Sequence, residues 1–103
     1  MKRWTLAVGP LVMRDLAGIE DYYRAVAPEQ IARWRREFKA TVRSIRQNPC
    51  LSREDRPNVR HRATHIFPYH VWYTLDEARQ VVTIAAVLHQ RRDPALAALR
   101  TIR

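Results

Sequence analysis

Two periods of apolar residues divide this chain. Between residues 12 and 26 the apolar positions Val12, Leu16, Ile19, Tyr23 and Val26 follow one another at steps of four, three, four and three, which puts them on one face of an α-helix. Asp15, Glu20, Asp21 and Arg24 fall off that face, and Glu20 and Arg24 have the i, i+4 spacing of a favourable helical pair. Ala27-Pro28 stops the helix, because a residue before proline is pushed out of the helical region. Pro28 then opens a second helix, where its missing N–H is not needed, with Glu29 near the positive end. Here Ile31, Trp34, Phe38, Val42 and Ile45 make the apolar stripe. The opposite face carries Arg33, Arg36, Lys39, Arg43 and Arg46, with Glu37 the one acid beside them. Asn48-Pro49 terminates it. Two amphipathic helices joined by so short a link form an antiparallel helical hairpin.

The rest of the pattern has period two. Trp4-Thr5-Leu6-Ala7-Val8 alternates as a first strand, ended by Gly9-Pro10. Residues 50–58 are polar and read as a loop. Three runs rich in β-branched and aromatic residues follow, over 60–66, 67–75 and 81–89, a composition suited to a pleated surface. In the middle run Val71, Tyr73 and Leu75 share one face, while His70, Trp72 and Thr74 point the other way. The polar link 76–80 makes the last two runs a hairpin. The final run is almost wholly apolar, as in a central strand covered on both sides. Asp93-Pro94 leads into a short helix or tail. The expected fold is a two-layer α+β domain of order β-α-α-β-β-β with that C-terminal helix or tail. One domain spans residues 1–103. On this reading the free face of the sheet and its closing turn gather the basic side chains.

Charge sharpens the picture. The net charge is +9, with 10 basic against 5 acidic residues in 1–50 and 9 against 5 in 51–103. The excess is spread along the chain, which suits an acidic partner, either nucleic acid or protein; the arginine usage of a GC-rich genome is the plainer alternative. No apolar run is long enough to span a membrane, and Trp4–Val8 is too short for a signal-peptide core, so a soluble cytoplasmic protein is expected. The single cysteine, Cys50, has no partner for an internal disulfide, in keeping with a reducing compartment. The four histidines His61, His65, His70 and His89 lack carboxylates or cysteines at ligand spacing, so no metal is expected. With Gly9 and Gly18 the only glycines, there is no phosphate-binding loop. No cofactor is implied.

Four segments, in order, carry a family resemblance. They are Arg14-Asp15-Leu16-Ala17-Gly18-Ile19-Glu20-Asp21-Tyr22-Tyr23, then Ile45-Arg46-Gln47-Asn48-Pro49, then Phe67-Pro68-Tyr69-His70-Val71-Trp72-Tyr73, and last Val87-Leu88-His89-Gln90-Arg91-Arg92-Asp93-Pro94. Together they resemble the RelE/ParE superfamily of toxins from type II toxin–antitoxin modules, over nearly the whole chain. The resemblance implies growth inhibition and a cognate antitoxin that wraps the toxin, with operator DNA bound only through the antitoxin. ParE-like members poison DNA gyrase; RelE-like members cut messenger RNA on the ribosome. The ending from His89 to Pro94 and the Phe67-Pro68-Tyr69 entry resemble the ParE-like branch more closely.

The ribonuclease alternative needs a proton acceptor, cations for the phosphate and a proton donor for the leaving oxygen. By resemblance, Arg60 and Arg62 fall where strand lysines stand in RelE-like enzymes, Arg91 matches the arginine of the final turn, and His70 replaces a hairpin arginine. The C-terminal tyrosine of that branch is absent. Arginine is a poor proton acceptor, so His70 or His89 would have to act as acid or base. The catalytic candidates on that reading are therefore Arg60, Arg62, His70, His89 and Arg91. The candidates for contact with a target or antitoxin are Tyr22, Arg36, Lys39, Arg43, Trp72, Arg91 and Arg92.

Overall fold

The computed structural model describes residues 3–91; Arg92 and the expected C-terminal helix or tail lie outside the described residues. The order is β1 (Thr5–Val8), α1 (Val12–Val26), α2 (Ile31–Gln47), β2 (Glu54–Arg56), β3 (Val59–Ala63), β4 (Tyr69–Asp76) and β5 (Val81–His89). Short 3-10 turns at Pro28–Gln30 and Pro49–Leu51 stand at the two prolines that bound α2. The fold is α+β: five strands form one sheet in the order β1-β5-β4-β3-β2, antiparallel except for β1 on β5. Strand β2 corrects the loop expected at 50–58. Its three residues Glu54-Asp55-Arg56 are all charged and exposed, so no hydrophobic pattern announces it; pairing with β3 alone makes it a strand.

The helices cover one face. Their stripes meet Tyr69, Val71, Tyr73 and Leu75 of β4 and Val82, Ile84 and Val87 of β5 in a single apolar core. Trp34 is buried at its centre, with ring centroids 4.9 Å from Tyr69 and 5.6 Å from Phe67. Val26, expected on the buried stripe, is 59% exposed and is the last residue of α1. The Glu20 carboxylate accepts two hydrogen bonds from Arg35 at 2.6 and 2.7 Å, joining α1 to α2. Glu20 also has Arg24 at 3.9 Å, but Arg24 sits closer to Asp21, at 2.7 Å.

Strand β5 changes face midway. Trp72 pairs with Ala86 but Tyr73 with Ile84, which leaves Ala85 as an extra residue. This bulge explains how a nearly all-apolar strand serves two sides. Val82, Ile84 and Val87 face the helices, while Ala86 and Leu88 join Val59 and Trp72 on the other face. Next to the bulge, the Val87 N–H donates to the Asp15 carboxylate at 3.0 Å, fixing the start of α1 to β5.

Candidate functional site

Four regions of the described surface carry chemistry. The first is the outer face of α2, whose 3.6-residue repeat turns Arg33, Arg36, Lys39 and Arg43 to solvent, all exposed. None of these four forms an ion pair among the described residues. Arg46, on the same face, instead donates to the Trp4 carbonyl at 2.9 Å and tethers the start of β1. Glu37 does not neutralise these cations. Its carboxylate accepts from the Ile66 and Phe67 N–H groups at 2.8 and 2.9 Å and braces the turn between β3 and β4.

Beside that face runs an apolar groove of about 200 Å³ between the helices and β1, lined by Val8, Met13, Leu16, Phe38 and Val42 with Lys39 at its rim. Val8 and Met13 are 54% and 68% exposed there. Tyr22, also on α1, projects outward while its neighbour Tyr23 turns in against Phe67, 5.4 Å between centroids.

The third region is where α2 ends against β3. Arg62 donates from Nε to Ser52 Oγ at 3.0 Å, from Nη1 to Ser44 Oγ at 2.9 Å and from Nη2 to the Asn48 carbonyl at 2.9 Å. Arg60 donates to the carbonyls of Cys50 and Ser52 at 3.3 and 2.8 Å. Arg62 thus reaches the Asn48 carbonyl that caps α2, at the negative end where cations are favoured, while Arg60 meets the carbonyls of the 3-10 turn that follows. Tyr73 donates to the Pro49 carbonyl at 2.6 Å in the same place. An open groove of about 300 Å³ lies alongside, with Thr41, Ser44, Arg62 and His65 among the residues on its walls. Arg60 and Arg62 therefore do not stand on the free side of the sheet as expected. They pair opposite Tyr73 and Val71, so they point to the helix side.

The fourth region is the other face of the sheet. There His61 lies over Trp72 at 4.6 Å and against His70 at 4.4 Å between ring centroids. Asp55 Oδ2 is 2.6 Å from His61 Nδ1. His70 is held below the usual histidine range, first by burial and then by the charge of His61, with Asp55 opposing and His89 adding slightly. Trp72, expected to meet a partner, is 4% exposed. The carboxylate partner that the histidines lacked in the sequence is thus Asp55, brought in by β2. The alternation of β3 already separates His61 from Arg60 and Arg62; Asp55 left no signal because β2 has no apolar residues.

The five catalytic candidates do not form one cluster. His70 is on the face away from the helices. His89 is on the helix side with its ring edge-on to Tyr69 at 5.7 Å, and its Nδ1 accepts the Arg91 N–H at 3.2 Å. Arg60 and Arg62 share that side but lie on β3, with β4 between them and His89. The Arg91 side chain is exposed. Buried Tyr69 is shifted well above the usual tyrosine range by desolvation and by Tyr23, so it stays protonated. Among the described residues no three metal-binding side chains come together.

The sequence model of the ParE toxin of the type II toxin–antitoxin system parDE matches residues 6–94. Among solved structures the chain is similar to one from the chromosomal ParDE toxin–antitoxin system of P. aeruginosa. The TM-score is 0.73 at 16% identity, covering 84% of this chain and 96% of that one; at that identity the likeness concerns the fold. No curated protein matches.

Proposed function

We propose that this chain, which belongs to the ParE toxin family of type II toxin–antitoxin systems, arrests growth by binding DNA gyrase through protein contacts. A cognate antitoxin in a heteromeric complex holds it in check. The family match over residues 6–94 carries the reading. The dispersal of Arg60, Arg62, His70 and His89 supports a toxin that binds rather than cleaves. Two guanidinium groups committed to serine hydroxyls and backbone carbonyls are poorly placed to receive a phosphate, and the two histidines stand on opposite sides of the sheet.

The antitoxin contact proposed here is the outer face of α2 with the apolar groove beside it. Arg36, Lys39 and Arg43 lack acidic partners among the described residues, and an acidic amphipathic segment would satisfy them while its apolar side fills the groove over Val8, Met13 and Phe38. Similarity to a chain from a ParDE system agrees with such a partner. Tyr22 and Arg91 are further contacts to either antitoxin or gyrase, and operator DNA is reached only through the antitoxin. Both gyrase and the ribosome place the toxin in the cytoplasm.

Purified protein added to gyrase and relaxed plasmid is expected to block supercoiling or trap cleaved DNA, and cognate antitoxin should reverse the effect. Cells expressing the toxin should show a DNA-damage response with intact transcripts. Transcripts cut within codons, without that response, would replace this reading by the ribosome-dependent endoribonuclease.

A further inference from the structure

The ribbon formed by β2 and β3 ends the sheet and is fastened differently on its two sides. On the helix side Arg60 and Arg62 tie it to the end of α2 through hydroxyls and backbone carbonyls. None of those acceptors titrates near neutral pH. On the other side the fastening includes ionisable groups. Asp55 of β2 meets His61 of β3, and His61 stacks on both His70 and Trp72 of β4. The two imidazoles are diagonal neighbours in the ladder, since His61 pairs with Trp72 and Ala63 with His70. Their planes are tilted 31° from one another, close enough for each ring to feel a charge on the other.

One proton suits this arrangement. On His61 it forms an ion pair with Asp55, and neutral His70 stacks against it. A second proton, on His70, sets two imidazolium rings against each other with one carboxylate to serve both. We propose that Asp55, His61 and His70 form an acid-operated clamp: closed with one proton, it holds the ribbon over Trp72, and the second proton releases that side of the ribbon and uncovers the indole. The groups facing His70 are His61 from β3 and Asp55 from β2, with His89 of β5 acting at longer range. Leu88, its ladder partner on β5, is apolar and buried, so β5 offers no carboxylate opposite the new charge. The depressed titration of His70 agrees with a closed state that resists the second proton. At His70 the closed form binds protons less readily than the open one, so opening grows as pH falls through and below the ordinary histidine range.

The clamp is independent of the gyrase reading and is tested without it. Hydrogen exchange of the β2 and β3 amides, with histidine titration by NMR on the full chain, is followed from about pH 8 to about pH 5, after correction for intrinsic exchange. Protection of the ribbon should fall in step with His70 while the α2 and β5 amides keep theirs. The loss should be about tenfold for each pH unit by which the closed clamp holds His70 below its open-state titration. His70→Phe keeps a ring in the stack without a charge and should abolish the loss. Asp55→Asn removes the shared anion and should move release to higher pH. Ribbon protection that stays level while His70 titrates overturns the clamp. So does a loss of the same size and midpoint in both variants as in the parent chain.

Discussion

The Gly9 N–H donates to the Ile84 carbonyl at 2.7 Å, so the turn out of β1 lies directly against β5. A Cβ at residue 9 would stand 2.9 Å from that same oxygen. The strand-ending role of Gly9 is therefore a matter of close backbone approach, and it sits at the one parallel pairing of the sheet.

Gly9→Ala is expected to destabilise the protein by about 1–3 kcal/mol, the usual range for overpacking a closed site. Gly18→Ala should do the reverse. A Cβ there meets nothing within 4 Å, and exchanging glycine for alanine inside a helix is worth about 1 kcal/mol. Urea unfolding of the two variants reads both signs, and equal effects would contradict this account of Gly9.

Arg62→Lys separates a structural guanidinium from a mere positive charge. Lysine keeps the charge but cannot reach Ser44, Ser52 and the Asn48 carbonyl together from one planar group. Losing two of the three hydrogen bonds should cost about 1–3 kcal/mol, measured as a lowered urea midpoint with unchanged slope. A neutral result would free Arg62 for the phosphate role that the resemblance to RelE-like enzymes suggests.

Glu20 gives the helical hairpin an acid dependence. Its carboxyl is held below the ordinary 4.5, first by the hydrogen bonds from Arg35 and further by the charges of Arg35 and Arg24, with desolvation working against them. The folded chain thus binds fewer protons at this site than the unfolded one. The contribution is complete above the ordinary carboxylate value and is lost as pH falls through the depressed one. Glu20→Gln should flatten that part of the stability profile below about pH 5 and leave the neutral side parallel to the parent. An acid limb of unchanged steepness in the variant would assign the dependence to other carboxylates.

Charge reversal on α2 tests the proposed antitoxin face. Lys39→Glu with Arg43→Glu should slow association with the cognate antitoxin and weaken its salt dependence, since exposed rim charges act mainly on the encounter rate. Met13→Asp, in the apolar groove, should act instead on dissociation. Surface plasmon resonance over a salt series separates the two effects, and antitoxin kinetics unchanged in both variants would move the contact elsewhere on the toxin.

Local periodicity was enough to set α1 from Val12 to Val26 and to find α2, β1, β4 and β5, because an amphipathic helix and an alternating strand repeat their pattern within a few residues. It was enough, too, to separate Tyr23 from Tyr22 and to divide β4 into its two faces. The family resemblance was likewise legible in four short segments. What the sequence could not decide was which way each face turned. A strand has two equivalent sides until its neighbours are known, and the pairing of β3 with β4 is what sends Arg60 and Arg62 to the end of α2 and His61 to Trp72. The bulge at Ala85 reverses the parity of β5 at one residue, which no alternation rule could locate in a run that is apolar throughout. Strand β2 has no hydrophobic pattern at all, so Asp55 came to His61 only through long-range pairing. The elements follow from contacts between near neighbours in the chain; the candidate site follows from register, a property of two strands together.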